Sequence, residues 1–123
     1  MNRLARHELA ERTFVRRHVR ESAGERWVSA STKGPFDGAV YRPNGGHLRV
    51  TFIEIKTAQG RRASDLSDLE ADFARFAETH GTPYVVARYR VIADRVVSER
   101  LYRPFSTPEV PDAEVILEVT ASP

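Results

Sequence analysis

Hydrophobic positions recur along the chain with spacings that predict two helices. Apolar side chains at helical spacing over residues 2–21 predict a first helix, with Glu11 on or near its apolar stripe. Ser67 and Glu70 match a capping box, which predicts that a second helix begins there, and Gly81 supplies its stop. The stripe of the second helix that faces the core is predicted to hold Leu66, Leu69, Phe73, Phe76 and Ala77.

Short apolar runs bounded by turn residues predict the strands. The sequence Pro-Asn-Gly-Gly at residues 43–46 predicts a hairpin between the second and third strands. The order of helix, three strands, helix and two strands predicts a mixed sheet with helices on its faces, in which a right-handed crossover makes the fourth strand parallel to the third. The predicted strands are residues 27–31, 36–41, 47–56, 83–91 and 95–102, with one more over residues 113–119.

The third strand carries charges where apolar side chains are expected. Residues 52–57 have the sequence Phe-Ile-Glu-Ile-Lys-Thr, so Glu54 and Lys56 point to one face of the strand and Ile53 and Ile55 to the other. A strand covered on both faces would bury both charges, which is costly unless they are paired, hydrated or bound to a metal. This pattern indicates a functional site.

The hairpin brings a second carboxylate to the same place. Counted outward from a turn at Asn44-Gly45, Asp37 lies about seven residues back and Glu54 about nine forward, so the two are adjacent if one strand contains a bulge. Two carboxylates a few ångströms apart repel each other unless a cation lies between them. A small number of oxygen ligands with room for water suits Mg²⁺ or Mn²⁺.

Composition limits the classes of protein that need to be considered. A chain of 123 residues is long enough for one domain, and we expect its core over about residues 3–102 with a C-terminal extension over 103–123. The absence of cysteine excludes disulfides and thiolate zinc sites. No apolar run approaches the roughly 18 residues of a transmembrane helix, and the arginine-rich N-terminus lacks the apolar region of a secretory signal. We therefore expect no membrane partner and a cytoplasmic location.

Basic residues are almost all arginine. The lysines are Lys33 and Lys56, while the formal net charge is +2 and the isoelectric point about 9.3. The arginine fork donates two parallel hydrogen bonds to phosphate, so this excess permits nucleic-acid binding. Arg61 and Arg62, in a basic loop that begins at Gln59 just beyond Lys56, are expected to contact phosphate.

Four of these residues form one motif: Glu11 on the first helix, then Asp37, sixteen residues, Glu54, one residue and Lys56. The motif resembles that of the PD-(D/E)xK nuclease superfamily, with Phe36 in place of the usual proline. This resemblance implies a restriction-endonuclease-like α/β fold, with a mixed β-sheet flanked by helices and an αβββαβ core.

Within that superfamily the chain is most similar to the small archaeal-type Holliday junction resolvases, which also occur in some viruses, over about residues 3–102. Residues 10–12 (Ala-Glu-Arg) resemble the family's first helix, residues 29–33 (Ser-Ala-Ser-Thr-Lys) its segment before the catalytic aspartate, and residues 53–56 its Glu-x-Lys strand. The longer spacing from aspartate to glutamate and the stretch from Pro104 depart from the family. The resemblance implies a homodimer that makes paired, symmetric nicks in four-way DNA junctions during recombination and repair, in the host cytoplasm if the source is viral.

The motif and the resemblance together imply a role for each site residue. Asp37 and Glu54 are expected to ligate Mg²⁺, for which Mn²⁺ would substitute, with the Ile55 carbonyl as a further ligand. Glu11 is expected to contribute through water or to hold a second ion, and Lys56 to orient the attacking water or to balance charge on the phosphate. No organic cofactor is expected. The expected DNA contacts are Arg3, Arg6, Ser31, Thr32, Lys33, Arg61 and Arg62.

Two alternatives stay open: another PD-(D/E)xK nuclease, acting on flaps, on duplex DNA or as a restriction enzyme, and a non-catalytic DNA-binding module with Glu54 and Lys56 as a buried salt bridge. A RecB-like exonuclease is disfavoured because Gln59 is followed by Ala63 where the motif Gln-x-x-x-Tyr requires tyrosine. A restriction enzyme needs additional elements to contact base edges, for which this chain has little room. The histidines His7, His18, His47 and His80 show no ligand spacing.

Overall fold

Two α-helices and five strands make up the part of the chain that the structure describes, which is residues 2–30, 34–58 and 66–105 of a computed structural model. The predicted strand over 113–119 lies outside these residues. Within the described part, no helix has both the length and the apolar character needed to cross a membrane. These elements are α1 (Arg3–His18), β1 (Arg26–Ser29), β2 (Gly38–Asn44), β3 (His47–Ala58), α2 (Asp68–Thr79), β4 (Tyr84–Ile92) and β5 (Arg95–Tyr102), and a short 3-10 helix (Glu21–Ala23) lies between α1 and β1.

The five strands form one mixed sheet in the order β1-β2-β3-β4-β5. Every neighbouring pair is antiparallel except β3 and β4, which are parallel, so the predicted parallel pairing of the fourth strand with the third is confirmed. Alternate residues of β4 point to opposite faces: Val85 packs with Phe14 of α1, whereas Tyr84 packs with Ala74 of α2. The protein is thus a mixed α/β fold with one helix on each face of the sheet.

The first helix is shorter than the sequence predicts. It was expected over residues 2–21 but ends at His18. The backbone N–H of Arg20 donates to the Glu25 side chain, 2.8 Å away, instead of continuing the helical ladder. Gly24 then adopts a left-handed conformation with φ of +85°, which turns the chain toward β1. A competing local acceptor therefore ends the helix.

The hairpin between β2 and β3 turns one residue later than predicted. Asn44 pairs with His47, which leaves Gly45 and Gly46 as a two-residue turn. Their φ values of +56° and +89° suit a tight turn whose central residues both have positive φ, and glycine adopts this conformation without a Cβ penalty. The predicted turn at Asn44-Gly45 is therefore wrong.

The register of this hairpin fixes the position of Asp37. Pairing runs without interruption to Gly38 opposite Ile53, so the predicted bulge is absent from this ladder. The backbone N–H of Asp37 donates to the carbonyl of Ile53, 2.9 Å away. Continuing the register by one step places Asp37 opposite Glu54, which is the adjacency that the sequence predicts.

The helix α2 begins as predicted, with Ser67 as N-cap and Glu70 completing the capping box. Its buried face agrees only partly with the prediction: Ala77 is buried and Phe73 packs against the core, as predicted, but Leu69 and Phe76 are 60% and 59% exposed and Ala74 is buried in addition. Small side chains let the helix lie close to the sheet. The centroid of the Phe73 ring lies 5.2 Å from that of Phe36 and 5.0 Å from that of Phe52. In this orientation of α2 the side chains of Leu69 and Phe76 are exposed, so the prediction that they face the core is wrong.

A charged cluster joins the C-terminal end of α1 to β5. Oε2 of Glu99 accepts a hydrogen bond from the Tyr89 hydroxyl at 2.7 Å and lies 3.0 Å from Nε2 of His18. Arg17 lies 3.5 Å from the same oxygen. Burial raises the pKa of Glu99, but the hydrogen bonds from His18 and Tyr89 more than offset this and bring it down to about 2.

We expect Glu99→Gln to lower the free energy of unfolding at neutral pH by about 1–2 kcal/mol. A depressed pKa adds stability that is fully present above the ordinary value of 4.5 and is lost as the pH falls from 4.5 to about 2. The variant should lack this acid dependence, so its stability deficit should shrink in acid. Urea unfolding across that pH window, with Glu8→Gln as an exposed control, measures both effects. A deficit that stays constant at every pH would contradict this account.

Candidate active site

The C-terminal part of β3 borders a cavity of about 660 Å³. Glu54 and Lys56 line it from the strand, and Asp37 lines it from the residue before β2. His7 of α1 and Glu70 of α2 also line it. The structure therefore brings together three of the four residues of the predicted motif.

Asp37 is held by the backbone of the strand beside it and by α1. Its Oδ2 accepts a hydrogen bond from the Ile55 N–H at 2.6 Å, and its Oδ1 lies 3.3 Å from Nε2 of His7. The hydrogen bond with Asp37 raises the pKa of His7, against the opposing effect of burial. The aspartate side chain is thus fixed at both oxygens before any ligand binds.

Glu54 is the most buried of the site carboxylates, with 5% of its surface exposed. Its Oε2 lies 3.2 Å from Nζ of Lys56. Burial raises the pKa of Glu54 to about 9, and the neighbouring carboxylates of Glu70 and Asp37 push in the same direction, while Lys56 offsets only part of the shift. The positive charge of Lys56 therefore does not fully compensate for the burial of Glu54 and the nearby carboxylates.

Lys56 sits between two carboxylates. Its Nζ donates to Oε1 of Glu70 at 2.9 Å, in addition to its contact with Glu54. Burial lowers the pKa of Lys56, but these two carboxylates raise it by more, so the net shift is upward. The ammonium is consequently held charged and in a defined position at the cavity wall.

Glu70 was assigned only to the capping box in the sequence analysis, yet it also belongs to the site. Its Oε1 accepts from the Ser67 N–H at 2.8 Å and from Lys56. The predicted topology contained the signal for it, because a crossover helix begins near the C-terminal end of the strand that precedes it. An acidic residue in the first turn of α2 was therefore a candidate neighbour of Lys56.

Glu11 lies apart from the other motif residues. It is not among the residues that line the cavity, and its Oε2 accepts hydrogen bonds of 3.1 Å from the Trp27 indole N–H and the Ser29 hydroxyl. His7, one helical turn earlier, is the residue of α1 that lies beside Asp37. A catalytic or metal-binding role for Glu11 stays a prediction.

The expected DNA contacts are only partly covered by the structure. Arg3 lines the cavity from the first turn of α1. Arg6 is half-buried one turn further along. Five expected contacts lie outside the described residues: Ser31, Thr32, Lys33, Arg61 and Arg62.

The donors beside the cavity fit a hard divalent cation. Within residues 2–30, 34–58 and 66–105, no three or more His, Asp or Glu side chains are grouped as a metal site. Mg²⁺ needs no such group, because it usually keeps several waters and binds one or two carboxylates. Asp37 and Glu54 provide two carboxylates. Ile55 borders the cavity while its side chain is buried in the core on the α1 side, so its backbone is the part available to a ligand.

Comparison with known proteins adds no family to this picture. A scan against protein-family models, a search of curated proteins and a search of solved structures each found no match for the chain. The interpretation of the cavity consequently depends on the residues that line it and on their geometry.

Proposed function

We propose that this protein is a metal-dependent DNA endonuclease of the PD-(D/E)xK type, and that four-way junctions are its substrate. The observation that carries the proposal is the convergence of Asp37, Glu54 and Lys56 on one cavity. Asp37 is separated from Glu54 by sixteen residues, and an uninterrupted hairpin register brings the two together, while strand alternation places Lys56 on the same face as Glu54. Two carboxylates that can hold a divalent cation, beside an ammonium in a defined position, suit metal-dependent hydrolysis of a phosphodiester.

Each of these side chains has a distinct task in the proposed reaction. Asp37 and Glu54, with the Ile55 carbonyl, would hold Mg²⁺ or Mn²⁺. The bound ion would supply charge stabilisation at the scissile phosphate. Lys56, fixed by two carboxylates, presents an ammonium that donates to the attacking water or to a phosphate oxygen. The contact with His7 keeps the Asp37 carboxylate in place.

We propose four-way junctions as the substrate and a homodimer as the assembly because the sequence resembles the small resolvases. Paired nicks in symmetry-related strands need two sites related by a two-fold axis, which a dimer provides. Light scattering should therefore find a dimer at the concentrations at which the protein cuts DNA. A monomer under those conditions would count against the resolvase and leave a simpler nuclease.

The test is cleavage of a labelled four-way junction beside matched duplex and splayed-arm DNA, with Mg²⁺, with Mn²⁺ and with EDTA. We expect paired, symmetric nicks in the junction alone, with either metal ion and not with EDTA. Metal-dependent cutting of every substrate would support the nuclease activity and contradict the specificity for junctions.

One observation favours a second candidate, a non-catalytic DNA-binding module. The ammonium of Lys56 lies 3.2 Å from Glu54 and 2.9 Å from Glu70, which is also the geometry of a structural ion-pair network. Folded protein that binds all three DNA substrates but cuts none of them, with either metal ion, would establish this alternative and overturn the nuclease.

A further inference from the structure

We propose that the DNA backbone passes from the active site along a row of cations that crosses the sheet from Lys56 through Arg88 to Arg100. This phosphate track rests on the proposed function for the identity of its ligand. It concerns binding and not cleavage, so it is testable without the reaction.

The register of the sheet places the three cations in line. Lys56 of β3 is the register partner of Arg88 of β4, and Arg88 is in turn the partner of Arg100 of β5. Residues at the same level of adjacent strands present their side chains on the same face of a sheet. Because neighbouring strands lie about 4.8 Å apart, the row extends outward from the cavity in steps of about that length.

The row lies on the α2 side of the sheet, together with the site carboxylate. Glu54 is the register partner of Val86, and Val86 belongs to the cluster that packs against Ala74 of α2. Two residues further along each strand, Lys56 and Arg88 point to the same side. The row is therefore continuous with the wall of the cavity that holds the catalytic lysine.

Tyr102 fixes the two arginines. The guanidinium carbon of Arg88 lies 4.9 Å from the centroid of the Tyr102 ring, and that of Arg100 lies 5.1 Å from it. Tyr102 itself is buried, so its ring is a rigid support. An arginine stacked on an aromatic face keeps its planar hydrogen-bonding edge, which matches the oxygens of a phosphate.

The position of the row suits a polyanion. The guanidinium groups of Arg88 and Arg100 lie over one ring, so two positive charges are held close together on this face of the sheet. The row extends from the cavity in which a phosphodiester would be cut. A phosphate backbone that enters the cavity at Lys56 would meet Arg88 and then Arg100 without changing direction.

The experiment measures binding of a four-way junction in EDTA, where no cleavage occurs, for wild type, Arg88→Gln, Arg100→Gln and the double variant. Each substitution should weaken binding about 3- to 10-fold and reduce the slope of log Kd against log salt concentration by about 1. Arg49→Gln, an exposed arginine of β3 near the hairpin turn, is the matched control and should leave the slope unchanged. Arg100 is exposed, so Arg100→Gln decides the test if Arg88→Gln proves unstable.

The outcomes separate this proposal from the proposed function. Unchanged binding and salt slope in the variants would overturn the track, as would an equal effect of Arg49→Gln, and cleavage by the wild type would still stand. If the wild type cuts no DNA and the variants show reduced slopes of log Kd against log salt concentration, the phosphate track would be supported and the nuclease proposal overturned. A wild type that binds no DNA would overturn both.

Discussion

Glu54→Gln is expected to reduce DNA cleavage by about 10³-fold or more while leaving the protein at least as stable as the wild type when no metal ion is added. The amide has nearly the shape of the carboxyl group, so packing is retained. It lacks the negative charge that would bind a divalent cation. Loss of activity without loss of stability would separate a role in the chemistry from a role in the fold.

The stability expectation follows from the surroundings of Glu54. The side chain is buried next to Asp37 and Glu70, and burial raises its pKa to about 9, with the two carboxylates adding to the shift. A charge in this position is costly, whereas a neutral amide avoids both the desolvation and the repulsion. Its hydrogen-bonding atoms also remain within reach of Lys56.

Initial cleavage rates measured with Mg²⁺ would check the expected loss of activity. Thermal unfolding of the same preparations in EDTA would check the expected stability. Glu8→Gln removes an exposed carboxylate of α1 in the same way and should change neither quantity. A Glu54→Gln variant that cuts DNA at the wild-type rate would remove Glu54 from the mechanism. A variant whose activity and melting temperature fall together would assign the residue to the fold.

Glu70→Gln should reduce kcat by about 10- to 100-fold with little change in KM or in stability. Glutamine completes a capping box as well as glutamate does, so the start of α2 should be maintained. Its amide oxygen can still accept from the Lys56 ammonium, but it lacks the negative charge that strengthens the 2.9 Å bond in the wild type. The lysine would then lose one of the two carboxylates that position it.

Ser67→Ala provides the reciprocal variant. It removes the hydroxyl that accepts from the Glu70 N–H at 3.2 Å, which should cost about 1 kcal/mol of stability, and it leaves the Glu70 carboxylate available to Lys56. Its kcat should therefore stay near the wild-type value. If both variants lose activity in proportion to stability, Glu70 acts only as a cap.

A spectroscopic readout keeps this test independent of turnover. The chain has two lysines, Lys33 and Lys56, so the NMR signal of the Lys56 ammonium is assignable by comparison with Lys33→Arg. Hydrogen-bonded ammonium protons exchange slowly with water. The signal should be lost or broadened in Glu70→Gln and retained in Ser67→Ala, and the opposite pattern would contradict the positioning role.

Most of the fold could be predicted from patterns among residues that are close in the sequence. Strand alternation, the capping box of Ser67 and the crossover through α2 are local or topological rules, and the structure confirms the mixed sheet that they predict. Strand alternation also places Lys56 on the same face as Glu54. The adjacency of Asp37 and Glu54 was predicted from a turn at Asn44-Gly45 and a bulge, whereas it results from a turn at Gly45-Gly46 and a regular ladder.

Features that depend on tertiary contacts could not be predicted from the sequence. The orientation of α2 is set by packing of the Phe73 ring against Phe36 and Phe52, which no helical stripe reveals. The direction in which α1 points its side chains decides that His7, and not Glu11, lies beside Asp37. Sequence spacing places both on one helix face and cannot choose between them.

The two-glycine turn has a consequence for how such a site changes during evolution. Asp37 and Glu54 are placed by a ladder that starts at the turn, and a two-residue turn closes a hydrogen-bonded pair, which recurs at every second pair of an antiparallel ladder. Two residues added to each strand next to Gly45 and Gly46 therefore lengthen the hairpin, keep the same turn and leave the two carboxylates opposite each other. A residue added to one strand alone would shift the register and separate them. The number of residues between the two acids can thus change in steps of four among descendants while their geometry is retained.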